Sequence, residues 1–168
     1  MIRKANPKDI DNIMSMVKLV VEIMHAQGSQ QWDETYPTAK DYQKDLGRDE
    51  LYVFEEEGII YGVCTISKRG HQEYPLINWS SQQPALTIKR LAISPNYQGK
   101  GVANQFFQFA ENLAKSLGRY ALNTDTFAHN QFAQRLFQRQ GYQFVEARQD
   151  PRDLNELYYY EKLLNEEE

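Results

Sequence analysis

The chain has a single cysteine, Cys64, among 168 residues. An internal disulfide is therefore excluded, and the composition fits a reducing compartment. Cys64 sits in an apolar run with Ile59, Ile60, Val63 and Ile66 and has no base beside it in sequence. It reads as a buried structural thiol rather than a nucleophile. No apolar run approaches the roughly 20 residues that span a bilayer. The first residues carry no signal-peptide core, so a cytoplasmic protein without a membrane partner is expected. Basic residues are not in excess: 19 Lys and Arg stand against 23 Asp and Glu, a net charge of −4. A nucleic-acid-binding face needs the opposite balance, so no nucleic-acid partner is expected. No metal site is expected. There is no internal repeat and no interdomain linker.

What remains is ordinary for a globular chain: 41% hydrophobic and 25% charged residues. The length suits one domain over residues 1–168 with a sizeable core. Residues 2–5 read as a strand. Asn6, Pro7 and Asp9 form a helix start, with Asn6 as N-cap and Pro7 at the first position. Ile10, Ile13, Met14, Val17, Val20, Val21 and Met24 then recur at helical spacing, and Gly28 ends the helix. Residues 29–37 are a polar, aromatic loop. Thr38 caps a short helix that ends near Gly47. Residues 51–55 and 59–66 form a hairpin around Glu56-Glu57-Gly58. A long connection over 67–84 leads to a strand over 85–93. Val102, Phe106, Phe109, Leu113 and Leu117 mark a second long helix, closed by Gly118. A strand over 120–124, a helix over 130–140, and strands over 142–147 and 156–164 around Asp150-Pro151-Arg152-Asp153 complete the chain. The tail from Asn165 is a solvated end. Periodicity alone gives an α/β or α+β class with a mixed sheet.

The most informative stretch runs from Leu91 to Ala103, LAISPNYQGKGVA. An apolar strand enters a turn, then a glycine loop, and an amphipathic helix starts directly from the loop. The open N–H groups and positive dipole end of such a helix favour an anion. Gly99 and Gly101 lack a Cβ, so a phosphate can approach the main chain. Val102 follows the last glycine where a Walker A loop needs a Lys-Ser or Lys-Thr pair, and a dinucleotide fingerprint needs three glycines early in the chain.

Gln98-x-x-Gly101-x-Ala103 resembles the acetyl-CoA signature of the GCN5-related N-acetyltransferases (GNAT family). Asn130-x-x-Ala133-x-x-Leu136-Phe137-x-x-x-Gly141-Tyr142 resembles the second signature of that family. The resemblance spans nearly the whole chain. It implies a GNAT-like acyl-CoA N-acyltransferase fold: a central, mixed, mostly antiparallel sheet flanked by helices, in the order β-α-α-β-β-β-α-β-α-β-β. It also implies acetyl-CoA as cofactor. The diphosphate is then expected on the N–H groups of Gln98, Gly99, Lys100, Gly101, Val102 and Ala103. The backbone of Leu91, Ala92 and Ile93 is expected at the thioester, with Ala92 in the catalytic role of oxyanion donor at a bulge. Asn130 and Ala133 are expected along the pantetheine arm, with Asn130 as a helix cap and Ala133 as core packing the plain alternatives.

Phe137 stands where the family usually has a tyrosine that protonates the departing thiolate, and a phenyl ring has no proton to give. Another tyrosine, among them Tyr158, Tyr159 and Tyr160, or a water then serves, or the thiolate leaves unassisted. Asp125 is the candidate base, with Glu22 and His25 as others. Lys89 and Arg90 are candidates for the nucleotide 3′-phosphate or for a solvated face. Trp32, Tyr36 and Trp79 are candidate substrate-binding aromatics, with core packing as the alternative for the two tryptophans. The partner is an amine of a small molecule or peptide. Two alternatives stand beside it: a non-catalytic acyl-CoA-binding domain, and a protein N-terminal acetyltransferase of the ribosomal-protein type. The strand over 156–164, if it lies at a sheet edge, would allow a homodimer.

Overall fold

A computed structural model describes residues 1–29, 31–150 and 154–165. Gln30, the centre of the Asp150–Asp153 turn and the end of the acidic tail lie outside the described residues. Seven strands follow the hydrogen-bonded order β1-β2-β3-β4-β5-β7-β6. The pairs β1–β2, β2–β3, β5–β7 and β6–β7 are antiparallel, and β4–β5 is parallel. The element order is the one the family resemblance implies. The chain forms two compact units, which share β4 and α3 and are described in turn.

The first unit comprises Met1–Ser67 and Lys89–Phe109. It holds β1 (Ile2–Lys4), α1 (Ile10–Ala26), α2 (Ala39–Gly47), β2 (Leu51–Glu56) and β3 (Ile59–Ser67), with the later part of β4 (Leu86–Ile93) and the start of α3 (Val102–Ser116). Both early helices start from reciprocal caps. Asn6 accepts from the Lys8 N–H while Asp9 accepts from the Asn6 N–H, over a 3-10 turn at Pro7–Asp9 that leads into α1. Thr38 and Asp41 do the same for α2. The apolar face of α1 (Ile10, Ile13, Met16, Val17, Val20) packs with Leu51, Val53, Ile60 and Val63 from β2 and β3. Cys64 is fully buried in this unit, and burial pushes its thiol well above the ordinary range. That agrees with a structural thiol.

The second unit comprises Lys68–Ile88 and Ala110–Glu168. It holds the start of β4, the end of α3, β5 (Ala121–Phe127), α4 (Gln131–Arg139), β6 (Gln143–Gln149) and β7 (Glu156–Leu163). Tyr74, Ile77, Leu157 and Tyr159 form its buried aromatic cluster, flanked by Trp79, Phe127 and Val145. Two expectations change here. β5 runs to Phe127 because its antiparallel register with β7 continues to Phe127–Leu157, so Asp125 lies inside the strand rather than past it. β7 is an inner strand, paired with β5 on one side and β6 on the other. Its backbone groups are already used, so it does not offer the edge from which a homodimer was expected.

Candidate active site

In the first unit, β4 breaks its extended course at Arg90, whose φ is 49°. That is the left-handed region, unfavourable for any residue with a Cβ. Leu91, Ala92 and Ile93 follow this break; Ala92 is 3% exposed and faces the core cluster. The chain thus leaves extended geometry one residue before the stretch where a bulge was expected.

Arg90 is held on both its main chain and its side chain. Its carbonyl accepts from the Tyr42 hydroxyl at 3.2 Å. Its guanidinium donates to Asp45 through Nε at 2.7 Å and Nη2 at 2.6 Å, a paired fork. Nη1 donates to the Tyr36 hydroxyl at 3.0 Å. Asp45 also accepts from the Thr65 hydroxyl at 2.7 Å. The Arg90 cation is thus neutralised inside the protein, which replaces the expectation that it meets a 3′-phosphate. Lys89 is also buried, and burial followed by the neighbouring Arg90 lowers its ammonium below the ordinary value.

Beyond Ile93 the chain makes a 3-10 turn at Pro95–Tyr97 and enters the glycine loop. Gly99 and Gly101 both have φ of 79°, and a Cβ at either would meet no atom within 4 Å. The glycines are thus required by backbone conformation, and the space in front of them is open. The Gln105 N–H donates to the Gly101 carbonyl at 3.0 Å, closing the first turn of α3. The amides of Val102 and Ala103 belong to the open end of that helix. Lys100 differs from expectation: its N–H reaches the Tyr97 carbonyl at 3.4 Å, and its ammonium lies 4.6 Å from the centre of the Tyr97 ring. Tyr97 in turn stacks on Tyr61 with ring centres 3.7 Å apart. Its hydroxyl donates to Glu56, which, ahead of partial burial, pushes the phenol up to about 12. Gln98 and Lys100 are exposed. Gly62 of β3 lets the helix approach, since a Cβ there would lie 2.9 Å from the Phe106 ring and 3.2 Å from Val102.

Two expected substrate residues belong to this unit. Tyr36 is 36% exposed and bonded to Arg90. Trp32 is 8% exposed within the core cluster, and its carbonyl bonds the His25 ring at 2.8 Å. Its ring has no face left for a ligand, so the substrate role expected of Trp32 gives way to core packing. The same contact makes His25 a loop anchor.

In the second unit, the Asn130 side chain accepts from the Ala133 N–H at 3.1 Å and so caps α4. Ala133 is half-buried. Phe137 is 6% exposed, its ring centre 5.4 Å from that of Tyr160 and 6.2 Å from that of Tyr142. Asp125 accepts from the Tyr74 hydroxyl at 2.7 Å, and Glu73 accepts from Tyr159 at 2.8 Å. Burial, then these carboxylates, drives both phenols well above the ordinary tyrosine range, so both hold their protons. Tyr160 is tied to Gln134 at 3.3 Å, and Tyr158 packs on Phe144. Trp79 is half-buried against Tyr74 and Tyr159, with Nε1 donating to the Tyr74 carbonyl at 2.8 Å. The sequence did not foretell the pairing of Asp125 with Tyr74, 51 positions away.

The chain matches a family and a set of solved structures. The description of the matching family is acetyltransferase (GNAT) family, over residues 17–142. An acetyltransferase of the GNAT family from Streptococcus agalactiae 2603 shares 27% identity at a TM-score of 0.83, covering 98% of this chain and 95% of its own. A candidate acetyltransferase from Staphylococcus aureus Mu50 is 32% identical at a TM-score of 0.76, covering 98% and 99%. At 15% identity and a TM-score of 0.69, a candidate acetyltransferase from Salmonella typhimurium, solved with its cofactor acetyl-CoA, shares the fold over 99% of this chain and 94% of its own. No curated protein matches the sequence. A family match over three quarters of the chain, joined to a glycine loop that opens onto a helix start, places the protein in the GNAT acetyltransferase family.

Proposed function

We propose that residues 1–168 act as one N-acetyltransferase domain that moves the acetyl group of acetyl-CoA to a primary amine of a small molecule or peptide, by direct attack in a ternary complex. The observation that carries this reading is the glycine loop. Two left-handed glycines leave open space before the first turn of α3, which fits a diphosphate and no internal group. The family match sets the reaction class.

Acetyl-CoA supplies an activated acyl group as a thioester. The amides of Gln98, Gly99, Gly101, Val102 and Ala103 hold its diphosphate. Lys100 adds positive charge from its place over Tyr97. Backbone N–H groups of Leu91, Ala92 and Ile93, just past the left-handed Arg90, donate to the thioester oxygen, with Ala92 as the central donor. Asn130 and Ala133 line the pantetheine arm, an assignment that rests on the second signature. Asp125 accepts a proton from the acceptor's ammonium before attack, freeing the amine lone pair for the thioester carbon, its carboxylate steadied by Tyr74. Tyr36 and Trp79 contact the acceptor.

Phe137 favours a second reading, an acyl-CoA-binding domain without turnover, because the position has no hydroxyl and is packed between tyrosine rings. Two measurements separate the readings. Calorimetry with acetyl-CoA, CoA and NADH tests the cradle, and thiol release with polyamines, aminoglycosides and short peptides tests turnover. Selective acetyl-CoA binding with amine-dependent thiol release supports the enzyme; binding without release supports the sensor. Release with peptides alone moves the reading to a protein N-terminal acetyltransferase. Failure to bind acetyl-CoA refutes all three.

A further inference from the structure

Among the described residues, four other than glycine have positive φ: Asp49, Glu57, Arg90 and Leu154. Asp49 follows the end of α2, Glu57 lies in the β2–β3 turn, and Leu154 precedes β7. Only Arg90 of these lies inside a strand. Nothing in the arginine side chain favours that conformation, so contacts must impose it. Besides the Tyr36 hydroxyl, those contacts come from one short helix. Tyr42 and Asp45, 0% and 1% exposed, both belong to α2 and hold the carbonyl and the guanidinium of the same residue. Thr65 of β3 donates to Asp45 Oδ2, the oxygen that also accepts from Arg90 Nε.

We propose that the buried Asp45–Arg90 pair is a positioning device: it holds Arg90 left-handed and so aims the backbone amides that follow it at the thioester oxygen. The proposal rests on the oxyanion role assigned above to Leu91, Ala92 and Ile93. Neither side chain touches the reacting atoms. Both are positioning residues, and their effect is carried by the main chain. The direction of an N–H vector follows the φ and ψ of the residue before it, so relaxation of Arg90 to extended geometry re-aims the Leu91 amide first. A pair that only stabilised the fold would show its loss in melting temperature and leave the bound acyl group unchanged.

The test compares two double variants that leave no orphan charge: Asp45→Asn with Arg90→Ala, and Asp45→Asn with Arg90→Gly. Asparagine keeps an acceptor for Thr65. Glycine accepts positive φ freely, whereas alanine carries the Cβ penalty without the pair that offsets it. The readout is the infrared carbonyl stretch of bound acetyl-CoA labelled with carbon-13 at the acyl carbon. Calorimetric affinities for acetyl-CoA and for CoA accompany it. The wild-type chain is expected to show a red-shifted band. The alanine variant should return the band toward its position in water and lose about five-fold in the ratio of acetyl-CoA to CoA affinity. Its affinity for CoA itself should hold, because the glycine loop is untouched. The glycine variant should fall between the two. A wild-type shift and ratio in both variants would overturn the proposal while the oxyanion reading stood. A wild-type chain that binds acetyl-CoA with no red shift would overturn the oxyanion reading and the proposal together. Should the alanine variant fail to fold, Asp45→Asn with Arg90→Met, which keeps a Cβ and most of the side-chain bulk without the charge pair, gives the same readout. A wild-type band there would again count against the proposal.

Discussion

Replacing Gly101 by alanine separates the backbone cost of the glycine loop from its ligand role. Gly101 has φ of 79° and Gly118, at the far end of α3, has φ of 70°. A Cβ at either site meets nothing within 4 Å, so neither substitution creates a clash within the protein. Both therefore carry only the left-handed penalty of an L residue, about 1–2 kcal/mol. For a chain of this size that lowers the melting temperature by roughly 2–8 °C. The binding effects should diverge. If the diphosphate occupies the space before Gly101, the new methyl displaces it from at least one charge-assisted backbone bond. Such a bond is worth about 1.5–3 kcal/mol, roughly a ten- to hundred-fold rise in Kd. Gly118→Ala should bind acetyl-CoA as the wild type does. Calorimetry for affinity and thermal unfolding for stability, run on all three chains, give the comparison. Equal Kd values for the two variants would refute the cradle, whatever their melting temperatures.

Gly62→Ala should lower stability by about 1–3 kcal/mol, because its Cβ would press on Phe106 and Val102; it should also weaken acetyl-CoA binding by moving the first turn of α3, and a chain that melts lower but binds normally would contradict that link. The Asp9 carboxyl is held below its ordinary value by the Arg3 hydrogen bond foremost, despite burial, so the unfolded chain binds a proton that the folded chain does not as pH falls below about 4. Its contribution to stability is full above that value and is lost as pH falls through the folded value. Asp9→Asn should therefore flatten the acid limb of a denaturation-versus-pH curve, and an unchanged limb would discount the pair. Phe137→Tyr should cost about 1 kcal/mol of stability for a buried hydroxyl. It should raise amine-dependent thiol release about ten-fold or more if the departing thiolate takes a proton there. An unchanged rate would mean that protonation at this position does not limit the reaction.

The elements that follow from local rules were legible in the sequence. Asn6 and Thr38 cap where short polar side chains before a helical pattern should. The stripe on α1 points inward as its spacing demands. The glycine loop was legible because glycine alone tolerates the backbone that Gly99 and Gly101 adopt. What was not legible depends on partners distant in sequence. Trp32 sits among polar neighbours and reads equally as a substrate aromatic or as core packing, and the core of α1, β2 and β3 claims it. Arg90 reads as a 3′-phosphate contact or a solvated strand residue, yet Asp45, 45 positions away, takes its guanidinium. Asp125 was placed beyond its strand because Phe127 pairs with Leu157, a register that no local pattern sets. The amide of Lys100 was placed in the cradle by its motif neighbours, but it turns back onto the Tyr97 carbonyl at 3.4 Å.

These failures share a cause that bears on function. A buried ion pair contributes little net stability, since desolvation offsets most of the attraction, and apolar replacements are often as stable. A pair as buried as Asp45 and Arg90 is then poorly explained by stability alone. What an apolar pair of the same volume does not supply is directional hold on a backbone torsion. The fork fixes the guanidinium in plane and angle, and the Tyr42 hydroxyl fixes the carbonyl of the same residue. Two restraints on one residue from one helix define its peptide orientation far more tightly than packing does. An oxyanion donor is useful only if its N–H points to within hydrogen-bond range of an oxygen that becomes charged during the reaction. On the proposal made above, the motif residues set where the acyl donor lies, and a polar contact outside both motifs sets how accurately the chain addresses it.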